Sequence, residues 1–122
     1  MSNLDILHEI YSNGDALPGY LHPQFKLHAP GQNSVGGEFE GLDGMMTHLG
    51  SMHALSNGTM KLDPHSYFAD DNWGMVISHI TAERDGKKLD VQGFGLWRFE
   101  DGKLTDHWEY ADNAAVWDDF WS

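Results

Sequence analysis

The segment Asp106-His107-Trp108-Glu109-Tyr110-Ala111-Asp112 has the alternation expected of the last strand of a sheet. It follows a tight-turn signal, Asp101-Gly102. Successive side chains of a strand point to opposite faces, so His107, Glu109 and Ala111 are predicted to share one face. A histidine and a glutamate beside a small alanine are not typical of a hydrophobic core. We therefore predict that this face is the polar floor of a cavity.

The composition bounds the classes of protein to which the chain can belong. Its 122 residues predict a single domain, 1–122. Seven basic and 19 acidic residues give a formal charge of −12, which argues against nucleic acid or an anionic membrane as a partner. The absence of cysteine excludes disulfides, a thiolate nucleophile and cysteine-ligated zinc. With no membrane-length apolar run and no signal-peptide pattern, we expect a soluble, cytoplasmic protein.

The order of the predicted elements favours an α+β fold. Apolar residues recur at helical spacing over 2–13 and 42–55, and a short helix is predicted over 113–121. Strands are predicted over 24–29, 59–69, 73–83, 88–99 and 104–111, with a glycine-rich loop over 31–40. Helices followed by an antiparallel meander predict helices packed on one face of a strongly bent sheet.

Alternation along these strands predicts which side chains line the concave face of the sheet. Gly93 and Gly95 would leave room above it, and Trp97 would supply a flat apolar wall. Methionines Met46 and Met52 of the second helix are predicted to be adaptable cavity wall, with plain core as the alternative. The other side chains predicted on this face are Lys26, His28, His79, Thr81, His107, Glu109 and Ala111.

These residue types predict acid/base chemistry. Burial raises the pKa of a carboxyl group, so Glu109 flanked by a histidine is a candidate to move a proton beside a carbonyl group. His28 or His79 would then stabilise the developing enolate oxygen, and His79 is the alternative base. Two other interpretations stay open: Glu109 and histidine forming a paired polar core, and a metal site of three histidines and Glu109. The remaining five histidines, His8, His22, His48, His53 and His65, are predicted to be structural.

Four short motifs, in this order and spacing, resemble the nuclear transport factor 2-like superfamily, and within it the SnoaL-like polyketide cyclases. Limonene epoxide hydrolase and ketosteroid isomerase are more distant relatives. The resemblance covers nearly the whole chain. The motifs are His28-Ala29-Pro30-Gly31, Gly37-Glu38-Phe39-Glu40-Gly41-Leu42-Asp43-Gly44, Phe99-Glu100-Asp101-Gly102-Lys103-Leu104 and His107-Trp108-Glu109-Tyr110-Ala111-Asp112.

The resemblance implies a cone-shaped, cystatin-like α+β barrel whose curved, mostly antiparallel sheet and helices enclose one cavity. It places Glu109 where such enzymes carry an acidic residue, although the family motif has aspartate. His79 and Thr81 stand where the epoxide hydrolase has arginine and aspartate, so that enzyme's ion pair is absent. The tyrosine and second acid of the isomerase oxyanion hole have no clear match.

Three functions are therefore considered, in order of preference. The first is a cofactor-independent acid/base enzyme, namely a cyclase, isomerase, dehydratase or hydrolase, that acts on a small apolar or aromatic carbonyl-bearing metabolite. The second is a non-catalytic binding protein for such a metabolite, and the third is a dimerisation module without a ligand. On the convex face, an aromatic patch predicts a homodimer, as is common in the family. This patch comprises Phe94, Leu96, Trp108 and Tyr110.

Overall fold

The computed structural model describes residues 1–122 and confirms the α+β class. The helices are α1 (Asn3–Ser12), α2 (Leu17–Tyr20), α3 (Gly41–Leu55) and α4 (Ala114–Trp121), with a 3-10 turn at Gly14–Ala16. The strands are β1 (Leu21–Ala29), β2 (Gly37–Glu40), β3 (Lys61–Ala69), β4 (Trp73–Arg84), β5 (Lys87–Glu100) and β6 (Lys103–Ala111). None of the helices combines the length and the apolar character needed to cross a membrane.

A single six-stranded sheet organises the molecule, in the order β2-β1-β6-β5-β4-β3. The pairing of β1 with β6 is parallel, and all other pairings are antiparallel. The sheet is curved but does not close, so β2 and β3 are its two edges. Strand β2 lies within the segment 31–40 that was predicted to be a loop throughout, and that prediction was wrong for its last four residues.

Helix α1 covers one end of the inner sheet face. It begins where Ser2 forms a capping box with Asp5, so that two otherwise unpaired backbone N–H groups are satisfied. Its stripe of Ile6, Leu7 and Ile10 is buried. Leu7 belongs to a cluster of 12 buried residues that also includes apolar side chains of β1, β5 and β6.

Helix α4 covers the other end of the inner face. Phe120 and Trp121 are buried in a second apolar cluster together with residues of β4 and β5. Arg84 fixes the end of the helix, since its guanidinium donates to the carbonyl oxygens of Phe120 (2.9 Å) and Ser122 (2.7 Å). Two separate apolar clusters therefore hold the helices on the sheet.

The two edges of the sheet are short or irregular. Edge strand β2 has four residues, among them Glu38 and Glu40. Edge strand β3 is longer, but its register with β4 shifts between Pro64 and Ser66. Proline has no backbone N–H, so Pro64 cannot donate a hydrogen bond to any neighbouring strand.

Candidate active site

An open cavity of about 460 Å³ lies between the inner sheet face and helices α1 and α3. Of its 21 lining residues, 14 are hydrophobic, which is the composition of a site for an apolar ligand. The lining contains neither lysine nor arginine. Its polar and charged side chains are Asp15, Ser78, His107 and Glu109, to which Tyr11 and Tyr110, counted among the 14, add hydroxyl groups.

The register of β5 and β6 sets the floor of this cavity. Gly95 is paired with Glu109, and Trp97 is paired with His107. Paired residues project from the same face. The predicted open room above Gly95 is filled in the structure, because the absence of a side chain there lets the Tyr11 hydroxyl and the His107 ring approach the sheet. The indole of Trp97 stacks on the His107 ring with 3.6 Å between centroids, which fixes that ring.

The Glu109 carboxylate is held between two histidines. Nε2 of His48, a residue of α3, lies 2.6 Å from Oε1. Nε2 of His107 lies 3.5 Å from Oε2. On the far side of the His107 ring, Nδ1 is 3.0 Å from the Leu96 carbonyl oxygen, which can only accept, so Nδ1 carries a hydrogen.

These contacts determine the protonation of Glu109. Burial by itself raises the pKa of Glu109. Hydrogen bonds with His107 and His48 outweigh burial and, together with the positive charge of either ring when it is protonated, lower the pKa from 4.5 to about 2. The prediction that the pKa of Glu109 rises towards neutrality was therefore wrong. It considered burial and one flanking histidine, whereas the structure places two imidazoles beside the carboxylate. Glu109 is a carboxylate at neutral pH.

The lowered pKa of Glu109 predicts how stability depends on pH. Because the folded-state pKa lies below 4.5, the stabilisation is complete above that pH and is lost as pH falls towards 2. Urea unfolding of the wild type is expected to give a free energy of unfolding that falls between pH 5 and pH 3. The Glu109→Gln variant should show a smaller fall, and equal slopes would contradict the assignment.

Tyr11 supplies a hydroxyl group to the same cavity from α1. Its oxygen accepts a hydrogen bond from Trp97 Nε1 at 2.9 Å, so its own hydrogen remains available to a ligand. Burial raises the pKa of Tyr11 far above its ordinary value, and the nearby carboxylate of Glu109 raises it further. Tyr11 is therefore a neutral hydrogen-bond donor, a role that the sequence analysis did not assign to any tyrosine.

Known proteins with the same domain identify the family. A model of the SnoaL-like domain family matches residues 9–107. The chain belongs to the SnoaL-like family. The uncharacterized protein Rv0034 of Mycobacterium tuberculosis is 27% identical over 101 residues, covering 82% of this chain and 77% of the relative.

Solved structures show the same fold as this SnoaL-like domain. A protein of unknown function from Xanthomonas campestris with a cystatin-like fold has a TM-score of 0.87 and 25% identity, covering 100% of this chain and 99% of that one. A protein from Acidithiobacillus ferrooxidans, provisionally described as a polyketide cyclase, has a TM-score of 0.64 and 23% identity, with 95% and 89% coverage. The cystatin-like, nuclear transport factor 2-like fold implied by the sequence is thus confirmed.

On β1 the SnoaL-like domain departs from the predicted cavity face. Leu27, not His28, is paired with His107, so Lys26 and His28 lie on the outer face. The predicted positions were wrong because the apolar face of β1 packs inward against the helices. His28 instead stacks on Trp108 and contacts Glu38 and Asp106, with Nε2 2.8 Å from Asp106 Oδ2.

On β4 the prediction was wrong in the same way. Ser78 and Ile80 line the cavity, so His79 and Thr81 face outward. The His79 ring lies 2.7 Å from Asp90 and is 42% exposed. The alternative metal site is contradicted too, because His28 and His79 are separated by the sheet from His107 and Glu109.

Of the four predicted catalytic residues, the structure thus brings together His107 and Glu109. Of the predicted ligand-binding residues, Trp97, Met46 and Met52 line the cavity. Tyr11 was not predicted to lie in the site, and His48 was predicted to be structural. The signal for His48 was its place between Met45 and Met52 on the buried stripe of α3, where a histidine needs a polar partner.

Proposed function

We propose that this SnoaL-like protein is an acid/base enzyme that moves a proton beside the carbonyl group of a small apolar ligand, as cyclases and isomerases do. The observation that carries the proposal is the Glu109 carboxylate at the floor of an open, largely hydrophobic cavity, with His107 and Tyr11 beside it. Family membership and a neighbour described as a cyclase support the same reaction class.

In the proposed reaction, Glu109 Oε2 takes the proton from the carbon next to the carbonyl group. A neutral imidazole is a stronger base than a carboxylate, so the proton passes on to Nε2 of neutral His107, 3.5 Å away. The resulting imidazolium–carboxylate pair is the state that lowers the pKa of Glu109, and the stacked Trp97 ring stabilises the cation. The proton then returns to a different atom of the ligand.

Charge that develops on the ligand's carbonyl oxygen also needs a donor. The Tyr11 hydroxyl is suited to this because its oxygen is already held by Trp97 and its hydrogen is free. A fixed donor in a low-dielectric cavity stabilises an enolate without reorganisation. All these steps use side chains of the chain itself.

The test uses 2-tetralone, an apolar bicyclic ketone with exchangeable hydrogens on both carbons beside its carbonyl group. In D2O, the wild-type protein is expected to accelerate loss of these proton signals in the NMR spectrum. Binding is followed separately through the amide signals of Gly93 and Gly95. The His79→Gln variant serves as a matched control and should exchange at the wild-type rate, because His79 faces away from the cavity.

A non-catalytic binding protein is the second candidate function. It is favoured by the 14 hydrophobic residues of the lining. Binding of 2-tetralone without faster exchange would support this second function, whereas neither binding nor exchange would contradict both.

We also propose that two copies of the chain pair through the outer sheet face. Phe94 is paired with Tyr110, and Leu96 with Trp108, one position out of phase with Gly95 and Glu109, so the four side chains form one apolar patch on the outer face. Phe94 and Tyr110 also border the cavity, but the strand alternation places their side chains on the outer side. Tyr110 is 48% exposed in the single chain. A patch of this kind on a soluble surface commonly marks an interface.

Light scattering at micromolar concentration is expected to give twice the chain mass of 13.7 kDa. Tyr110→Glu should reduce the mass to that of a monomer, because a charge cannot be buried unpaired in an apolar interface. Tyr110→Phe, which keeps the ring, should leave the dimer intact. A monomeric wild type would refute the pairing.

A further inference from the structure

His48 is the only side chain of α3 that forms a hydrogen bond with the catalytic floor. It is 1% exposed and lies on the buried stripe of its helix. A buried imidazole without a partner is costly, and its partner is Glu109 Oε1 at 2.6 Å. A bond this short to a carboxylate is of the strong, charge-assisted kind.

The other nitrogen of the ring shows which atom carries the hydrogen. Nδ1 of His48 is buried and has no hydrogen-bond partner. If His48 were doubly protonated, Nδ1 would be a buried N–H without an acceptor, on a charged ring. The neutral ring with its hydrogen on Nε2 leaves only an unpaired acceptor at Nδ1, which is the less costly arrangement.

His107 has the opposite arrangement. Its Nδ1–H donates to the Leu96 carbonyl, so in the neutral ring Nε2 is a bare acceptor facing Glu109. The surroundings of Nδ1 therefore determine whether Nε2 of each histidine is a hydrogen-bond donor or an acceptor. His48 can donate a hydrogen bond to the carboxylate, while neutral His107 can receive the proton that Glu109 takes from the ligand.

We propose that His48 is a positioning residue: as a neutral Nε2–H donor it holds Oε1 of Glu109, which leaves Oε2 alone to exchange protons with the ligand and His107. The proposal rests on the proposed function for the direction of proton transfer, but the hydrogen-bond assignment stands without it. Fixing one oxygen of a carboxylate orients the other, and small errors in such orientation slow proton transfer.

The first test needs no variant. In wild-type protein labelled with ¹⁵N, the ring-nitrogen signals of His48 at pH 7 are expected to show hydrogen on Nε2 and none on Nδ1. Hydrogen on Nδ1, alone or together with Nε2, would overturn the proposal. This measurement does not depend on any activity or ligand.

The second test compares two replacements of His48. His48→Gln can place an amide N–H near the position of Nε2, whereas His48→Leu removes the donor and keeps an apolar volume. In ¹³C titrations of the Glu109 carboxyl, His48→Leu is expected to raise the pKa of Glu109, and His48→Gln to raise it less. An unchanged titration in folded His48→Leu would overturn the proposal.

Exchange of 2-tetralone separates this proposal from the proposed function. His48→Leu is expected to slow exchange between about tenfold and a hundredfold, and His48→Gln to recover part of the loss. If the wild type shows no exchange while the ¹⁵N and ¹³C results are as expected, the enzyme proposal fails and the positioning of Glu109 by His48 stands. Normal exchange in both variants would refute the positioning role alone.

Discussion

Replacement of Glu109 by glutamine is expected to slow the exchange of 2-tetralone hydrogens by about 100-fold to 10,000-fold, the usual contribution of a positioned general base. The loss should arise from chemistry and not from misfolding. The amide oxygen of glutamine can accept from His48, and the amide N–H can donate to the bare Nε2 of His107. Glutamine can therefore pair with both histidines without a charge.

The measurement is the exchange rate per folded protein, with binding of 2-tetralone followed in parallel. Binding should persist, because most of the cavity lining is hydrophobic and unchanged. Glu38→Gln is the matched control, since it neutralises a carboxylate that contacts His28 on the outer face. Exchange in Glu109→Gln within a fewfold of the wild-type rate would remove Glu109 from the mechanism.

Gly95→Ala is expected to have the second large effect, on both stability and exchange. A Cβ atom at this position would lie 2.6 Å from the Tyr11 hydroxyl oxygen and 3.1 Å from His107 Cε1. Rigid aromatic rings must move to relieve these contacts, and overpacking of this kind costs about 1–3 kcal/mol. The same movement displaces the hydroxyl donor and the proton acceptor, so exchange should fall as well.

Gly74→Ala provides the control for simple overpacking. Its Cβ would lie 2.6 Å from Leu7 Cδ1 and 3.1 Å from a ring atom of Phe99, in the core under α1. This variant should lose stability in urea unfolding but keep the exchange rate of the folded protein. Wild-type exchange in Gly95→Ala would show that the space above Gly95 has no part in the reaction.

The sequence predicted the fold well because the elements have strong local signals. The capping residues of α1, the turns between β4, β5 and β6, and the alternation in β6 all agree with the tertiary structure. In β6, the alternation predicted His107 and Glu109 on the cavity face, and both residues line the cavity.

The face of β4 could not be determined in this way. Both of its alternating sets contain apolar residues, as Val76 and Ile80 point inward while Met75 and Ile77 point outward. Ser78 and His79 are adjacent polar residues of this strand, and they project from opposite faces. Which of the two faces the cavity depends on which side of the sheet the helices cover. Long-range packing, which leaves no signal within the strand, decides between them.

His48 shows a second limit of sequence reasoning. Its partner Glu109 is 61 positions away, and nothing between the two residues signals their contact. The helical spacing with Met45 and Met52 was visible, but the family motif directs attention to the sheet. A histidine within an apolar helical stripe is a reason to search for a distant carboxylate.

The irregular edges of the sheet affect how copies of the chain can meet. An open sheet has unpaired backbone N–H and C=O groups along both edge strands. A long, regular edge strand can pair with strands of other molecules, and such pairing can continue without limit. Here one edge strand is only four residues long and acidic, and the other is interrupted at Pro64. Growth into fibrils by edge addition is thereby discouraged, which favours a closed contact such as the proposed pairing of two copies through the sheet face.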